Sequence, residues 1–233
     1  MGVSFGDTGE VKGARARTRQ LMLNTAIDLM QKGETPSVSS AAEAAGVSRA
    51  TAYRVFPSQS ALVQSVVDEA LGPILRWDSA SDDAEERVDD LLRSSIPRII
   101  EFESTFKAAL KLSLEQWALD RAGALGEEPT FKRGHRVELL QKAIEPLRGQ
   151  LGEKRFLRLA KALSLTYGLE VLIVLKDLWG LGAKEMQDVA RWAAKSLVHA
   201  ALLETENSDA PLRAGQAGKP RTTQRRRATA ISG

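Results

Sequence analysis

"SVSSAAEAAGVSRATAYRVFPSQSAL", residues 37–62, is the stretch that decides the fold of this chain. It holds two short segments with helical spacing, 38–45 and 49–56, and each follows directly on a serine. Serine is a preferred N-cap because its hydroxyl accepts a hydrogen bond from a free backbone N–H. Gly46 suits the positive φ of a tight turn, and Pro57 disfavours helical backbone just before it. The stretch therefore predicts two short helices joined by a tight turn.

The second short helix is predicted to carry a polar face. At ~100° per residue, its apolar side holds Ala52, Val55 and Phe56, which we expect to pack on neighbouring helices. The opposite side and its flanks hold Arg49, Ala50, Thr51, Tyr53 and Arg54. Such a set suits the major groove of DNA: arginine bridges guanine acceptors, threonine or alanine touches a thymine methyl, and tyrosine reaches a phosphate. The alternative is an ordinary corner of three helices with solvated arginines.

Helix, glycine turn and capped short helix together are typical of a helix-turn-helix motif. The helix N-terminus at Ser37 offers free backbone N–H groups to a phosphate, and Val38 and Ser48 are further candidate DNA-binding residues. Gln59, at the start of the following helix, is a further candidate for a phosphate hydrogen bond. DNA binding and a purely structural corner both remain open on this pattern alone.

Residues 15–62 resemble the DNA-binding unit of the TetR/AcrR family of transcriptional regulators. The matching residues are Ala45, Gly46, Val47, Ser48, Thr51, Tyr53, Phe56 and Leu62, with Arg19 in the first helix. The resemblance implies an all-α fold, with an N-terminal DNA-binding domain and a divergent C-terminal domain for ligand and dimer contacts. It also implies that ligand binding lowers the affinity for DNA.

The sequence departs from the family pattern at three positions. Ala41 and Ala52 stand where the family often has isoleucine and leucine, so we expect loose packing unless neighbours close in. Gln59 stands where a lysine is frequent, which keeps a hydrogen bond to phosphate possible without the charge.

Helical spacing dominates the rest of the chain and no strand pattern is convincing, so the predicted fold class is all-α. Predicted helices cover 15–32, 38–45, 49–56, 59–76, the region after Ser81, 105–119, 131–148, 153–178 and 183–204. The predicted parts are a disordered arm at 1–14, a helix-turn-helix domain at 15–62, a ligand-binding and dimerisation domain at 63–206, and a basic disordered tail at 207–233.

The helix predicted at 153–178 is apolar on nearly every side, and small residues line the helix that follows. A helix without a polar stripe needs cover on two sides. We expect these two helices to pair with their copies in a second subunit and form a four-helix interface. The predicted interface residues are Leu165, Leu172, Leu175, Trp192, Leu197 and Ala201. The alternative is a well-covered core helix in a monomer.

Aromatic side chains of the body are candidates for an effector pocket, although most such residues are simply core. The candidates are Phe102, Phe106, Trp117, Phe131, Tyr167 and Trp179, together with the acidic Glu170. An acid within an apolar run either pairs with an arginine, which we favour, or faces a pocket and orients a ligand. The expected effector is a small apolar or aromatic molecule.

Composition excludes several classes of protein. The 233 residues contain no cysteine, which fits a cytoplasmic protein, and only two histidines, His135 and His199, which lie far apart. We find no catalytic constellation, so we expect no enzyme activity, no metal and no cofactor. No apolar run approaches the ~20 residues of a membrane span.

Basic residues concentrate at both ends of the chain, at 10–19 and beyond 206, although the net charge is only +3. This favours an anionic polymer partner, and solvated disordered ends are the plain alternative. We therefore predict a homodimeric, ligand-responsive regulator, a repressor rather than an activator, on a near-palindromic DNA operator. The runner-up is a helical ligand-binding or partner-binding protein with vestigial DNA contact.

Overall fold

The computed structural model describes residues 8–127, 129–131 and 134–209, and the regular structure of these residues is entirely helical. The helices are α1 Thr8–Gln31, α2 Val38–Ala44, α3 Arg49–Val55, α4 Gln59–Leu71, α5 Ala84–Glu101, α6 Glu103–Arg121, α7 His135–Ala143, α8 Arg148–Leu163, α9 Leu169–Val171 and α10 Ala183–Asp209. Short 3₁₀ helices cover Gly72–Arg76 and Glu145–Leu147, and a π-helix covers Leu172–Leu178 directly after α9. The all-α prediction is confirmed, and none of these helices is long and apolar enough to cross a membrane.

The helix-turn-helix motif forms as its local signals predict. The Ser37 hydroxyl accepts a hydrogen bond from the N–H of Ser40, and the Ser48 hydroxyl accepts one from the N–H of Thr51. Gly46, in the turn between α2 and α3, has a φ of +65°. Helices of seven residues are marginal in water on their own, so α2 and α3 depend on these caps and on packing against α1 and against each other.

A first hydrophobic core holds the helix-turn-helix unit together. Its buried members are Met22, Leu23, Ala26, Met30, Val38, Ala41, Ala42, Ala52, Phe56, Leu62, Val63, Val66, Val67, Ala108, Ala109, Leu112 and Phe131. Ala41 and Ala52, the two small residues at which looser packing was expected, are completely buried. Helix α6 packs against both α1 and α4, so a helix of the body completes the core of the N-terminal unit.

A second core occupies the body and joins α5, α7, α8, α9 and α10. Helix α10 packs along α5, where the Arg191 guanidinium donates to both carboxylate oxygens of Asp89 at 2.7 Å. This pairing with Arg191 is the main reason that the pKa of Asp89 lies below its usual value. Leu71 and Phe106 pack against both cores, so the two hydrophobic clusters meet between α4 and α6.

Several helix boundaries differ from the predicted ones. Helix α1 begins at Thr8, so part of the predicted arm at 1–14 is helical, and residues 1–7 lie outside the described residues. Helix α10 continues to Asp209, so the first residues of the predicted tail are helical too, and 210–233 lie outside the description. The predicted domain boundary at residue 62 falls within α4.

The largest correction concerns the helix predicted at 153–178. It breaks after Leu163, and helical structure resumes only at Leu169. Gly168 has a φ of +103°, a backbone conformation that glycine adopts without the steric penalty of a side chain. Tyr167 within the break is buried. The apolar run that suggested one long helix therefore folds as two helical segments, joined by a turn in which Tyr167 is buried and Leu165 is exposed.

Helix α4 ends where Arg98 of α5 meets it. The Arg98 guanidinium donates to the carbonyl oxygens of Ala70 at 2.5 Å and Glu69 at 3.1 Å, which belong to the last turn of α4. Gly72 follows with a φ of +47°. A cation on the free carbonyls of a helix end is favourable because it satisfies acceptors that have no partner within the helix.

Replacing Gly72→Ala should lower the free energy of unfolding by about 1–2 kcal/mol, because an L side chain disfavours positive φ. An alanine Cβ would also lie 2.8 Å from Nη2 of Arg98 and would displace that guanidinium from the end of α4. Urea denaturation measures the change. Gly149→Ala is the matched control: its Cβ would meet no atom within 4 Å, and we expect stability to be unchanged or higher. Equal effects of the two substitutions would contradict the role given to Gly72.

Candidate nucleic-acid interface and cavity

Helix α3 presents the polar face that its sequence predicts. The side chains of Arg49, Ala50, Tyr53 and Arg54 are exposed, and Thr51 is half-buried. Ala52 and Phe56 are buried in the first core, and Val55 packs against it. The predicted division of this helix into an apolar inner side and a polar outer side is therefore confirmed.

Hydrogen bonds within the chain fix the side chains of this exposed face. The hydroxyl of Thr51 accepts from Ser48 Oγ at 2.9 Å and from Arg54 Nη2 at 3.2 Å. The Tyr53 hydroxyl lies 3.3 Å from Ser39 Oγ of α2, which links the two helices of the motif on their outer side. These bonds hold the arginine and the phenol in defined positions on one surface.

Helix α1 supports α3 from the N-terminal side. Arg15 Nη2 donates to the backbone oxygen of Arg54 at 3.0 Å, which ties α1 to the C-terminal turn of α3. Arg19 lies over the ring of Phe56, 5.3 Å from its centroid, and donates to Ser65 Oγ of α4 at 3.1 Å. Arg15 and Arg19 belong to the basic stretch at 10–19, and both therefore make contacts within the fold.

Three other candidates for DNA contact have structural roles here. Val38 is buried, so only its backbone could reach a phosphate. The hydroxyl of Ser37 is occupied in capping α2. The Gln59 amide donates to the backbone oxygens of Thr35 and Pro36 at 3.2 Å each. It therefore holds the segment before α2, a contact that the sequence pattern did not predict.

A cavity of about 90 Å³ lies where α4, α6, α7 and the break before α9 meet. Its lining residues are Val67, Leu71, Ile99, Phe106, Ala109, Phe131, Gly134, His135, Arg136, Leu139, Tyr167, Gly168 and Leu169. Most of them are apolar, and α4 supplies two. The cavity thus touches the helix that continues from the helix-turn-helix motif into the body.

The predicted pocket residues separate into two groups. Phe106, Phe131 and Tyr167 line the cavity. Trp117 and Trp179 do not, because their side chains are 64% and 74% exposed on the outside of the molecule. These two assignments are therefore wrong for this cavity. Phe102 is also not a lining residue, and its ring lies beneath the guanidinium of Arg98 instead.

Glu170 forms the ion pair that the sequence analysis favoured. Its carboxylate accepts a hydrogen bond from Arg136, which lines the cavity from α7. His135, the neighbouring residue, lies 2.8 Å from the Asp68 carboxylate of α4 and 3.0 Å from the amide of Gln64. No local sequence pattern indicates these two lining residues, because their partners lie far away along the chain.

Tyr167 combines burial with an unused hydroxyl. The residue is 3% exposed, and its hydroxyl, like that of Ser95, has no hydrogen-bond partner. Burial raises the pKa of the Tyr167 phenol above its usual 10, and the proximity of Ser95 and of the Arg136 charge offsets only part of the rise. The phenol is therefore protonated at neutral pH and has a proton to donate.

The predicted dimer residues also divide by exposure. Leu165 and Trp192 are 79% and 70% exposed, as a subunit interface would require. Leu175 and Leu197 are half-buried against the second core. Leu172 is instead buried in the core of its own chain, and so is Ala201, so their side chains are not available to a partner in this conformation.

Replacing Ser48→Ala should lower the free energy of unfolding by about 1 kcal/mol, because α3 loses the hydroxyl that caps its first turn. Ser48→Asp should retain wild-type stability, since a carboxylate accepts the same backbone hydrogen bond. Thermal or urea unfolding of both variants checks this. A Ser48→Asp variant as unstable as Ser48→Ala would contradict capping as the role of this serine.

No protein-family model matches the sequence, and no curated protein matches it. Among solved structures, the fold is similar to the crystal structure of a TetR transcriptional regulator from Rhodococcus sp. RHA1. The TM-score is 0.50 at 19% sequence identity, over 78% of this chain and 96% of the other. The chain therefore has the fold of a TetR transcriptional regulator, with an N-terminal helix-turn-helix unit and a helical C-terminal body.

Proposed function

We propose that this chain is a cytoplasmic, sequence-specific DNA-binding transcriptional regulator of the TetR/AcrR family. The observation that carries the proposal is the exposed polar face of α3, on a helix whose opposite side is buried in the core. Because it is the second, capped helix of a helix-turn-helix motif, α3 is the element expected to enter the major groove.

Arg49 is the residue best suited to read a base. It lies in the first turn of α3, is exposed, and makes no hydrogen bond or ion pair within the described part of the chain. Arg54 and Tyr53 are already held by hydrogen bonds to Thr51 and Ser39, which suits them to fixed contacts with the DNA backbone or a base edge. In this proposal Arg49 discriminates between base sequences, and Arg54 and Tyr53 hold α3 in position on the DNA.

The chain is proposed to act as a homodimer. Exposed apolar side chains continue from the break before α9 to α10, and they include Leu165, Val174, Leu178, Val189 and Trp192. Large exposed apolar surfaces favour association, and a twofold pair presents two copies of α3 to the two halves of a near-palindromic operator.

Effector binding in the cavity is proposed to release DNA. Val67 and Leu71 of α4 line the cavity, while earlier residues of the same helix are buried against the helix-turn-helix core. A ligand that shifts α4 therefore changes the position of α3 relative to the body. A hundred-fold loss of DNA affinity requires a coupling free energy of ~2.7 kcal/mol between the two sites. A repressor that is released by its effector is the form of regulation we propose.

The runner-up is a helical ligand-binding or partner-binding protein in which the motif contacts no DNA. Selection of duplexes from a random pool, followed by fluorescence anisotropy on selected and scrambled sequences, separates the two. A regulator enriches a near-palindrome and binds it more tightly than the scrambled duplex, with affinity falling as salt rises. Equal binding to both duplexes, or no enrichment, would rule out the proposed function.

Replacing Arg49→Ala should weaken binding to the selected duplex by about five-fold or more, because loss of one base contact costs ~1–3 kcal/mol. Binding to scrambled DNA should change much less. Arg158→Ala is the control: this exposed arginine of α8 pairs with Glu204 of α10, and both helices belong to the body. We expect it to leave DNA affinity unchanged. A similar loss in both variants would indicate a general charge effect instead of readout by α3.

Replacing Trp192→Glu should dissociate the homodimer, because it places a charge on the exposed apolar face of α10. Loss of a central aromatic contact costs ≥2 kcal/mol, so the dimer should weaken about thirty-fold or more. Sedimentation velocity over a range of concentrations measures the change. Trp117→Glu alters a similarly exposed tryptophan on α6 and should leave the dimer intact. Dissociation by the Trp117 variant alone would place the interface on α6.

A further inference from the structure

We propose that the cavity between α4, α6 and α7 takes a compact, uncharged ligand with one hydrogen-bonding oxygen, which binds the hydroxyl of Tyr167. This inference rests on the proposed function, since it takes the cavity as the effector site, and it goes beyond that function by naming the chemical class of the effector. Three independent properties of the cavity lead to it: the pairing of its ionisable side chains, a hydroxyl that lacks a hydrogen-bond partner, and its volume.

The ionisable side chains on the wall already have partners within the chain. Arg136 is paired with Glu170, and its guanidinium also approaches the backbone oxygen of Ser164 at 3.4 Å. His135 lies at 2.8 Å from Asp68. A charged ligand would have to enter a largely apolar site without a spare counter-ion, or displace a carboxylate that is already paired. The wall therefore favours a neutral molecule over either an anion or a cation.

Among the lining residues, Tyr167 carries the buried side-chain polar atom that lacks a hydrogen-bond partner. It is buried at the break before α9, in a residue that lines the cavity, and it lacks a hydrogen-bond partner. Leaving a buried hydroxyl unpaired is unfavourable, and a ligand oxygen that accepts its hydrogen bond would remove this cost on binding. Because burial raises the pKa of this phenol, the hydroxyl retains its proton at neutral pH and can donate to that oxygen.

The size of the cavity limits the ligand. A volume of about 90 Å³ compares with ~30 Å³ for a water molecule in the liquid and with ~150 Å³ for an engineered apolar cavity that binds benzene. One ring with a single small substituent is therefore the upper limit, and it requires some adjustment of the walls. The aromatic and aliphatic lining, with Phe106, Phe131 and Leu139 among its members, suits the apolar part of such a molecule.

Four probes of similar size test this class: phenol, toluene, benzoate and benzylammonium, each titrated at pH 7 into the full-length chain and followed by heteronuclear NMR. Phenol and toluene differ by a hydroxyl in place of a methyl group. We expect phenol to bind at least ten-fold more tightly than either charged probe. Toluene serves as the apolar reference for the substitution described next.

Replacing Tyr167→Phe should lower the ratio of phenol affinity to toluene affinity by about five-fold, the effect of one net hydrogen bond. The variant should fold with unchanged or slightly higher stability, because it removes a hydroxyl that has no partner. Trp179→Phe is the control, since this exposed side chain does not line the cavity, and it should leave the ratio unchanged.

Three outcomes would overturn the inference: an unchanged ratio in the Tyr167 variant, tighter binding of a charged probe than of phenol, or no binding of any probe at millimolar concentration. DNA binding by the same wild-type preparation without ligand is measured separately. If the probes give one of these three outcomes while the chain still binds its selected duplex specifically, only this inference is overturned. Ligand binding as expected, without any preference for a selected duplex, defeats the proposed function and leaves the cavity assignment standing.

Discussion

Helix α4 has to be buried on two sides at once, and the rest of the structure depends on this constraint. Leu62, Val63 and Val66 lie in the core of the helix-turn-helix unit, while Leu71 packs against both cores. Polar contacts fix the same helix to the body, through Arg98 at its last turn and His135 at Asp68. Contacts with the body therefore help to set the orientation of α4, and α4 in turn packs in the core of the helix-turn-helix unit.

The helix-turn-helix motif was predictable because its determinants are local. Each short helix follows a serine cap, and the glycine between them takes the positive φ that the turn requires. These signals lie within a few residues of the structure that they specify, so both helices end within one residue of their predicted boundaries. The exposure of Tyr53 and Arg54 followed from the same short-range periodicity.

The body was harder to predict, because periodicity shows that a side chain is apolar and does not show what covers it. Trp117 and Trp179 were expected to line a pocket and are exposed, whereas Leu172 was expected at an interface and is buried. Tyr167 stood among the candidates, yet only the fold reveals that its hydroxyl lacks a partner. Such properties depend on residues distant in sequence, as the pairing of His135 with Asp68 illustrates.

The break before α9, which the sequence analysis did not predict, also forms one wall of the cavity. The apolar run predicted as one helix breaks before Gly168, whose added Cβ would lie 3.1 Å from the guanidinium of Arg136. Glycine therefore lets Arg136 lie along the broken backbone and reach Glu170, while the break itself buries Tyr167 at the cavity. Local departures from the simplest structure for a sequence often mark functional sites, and here the departure creates the polar group that we assign to the ligand.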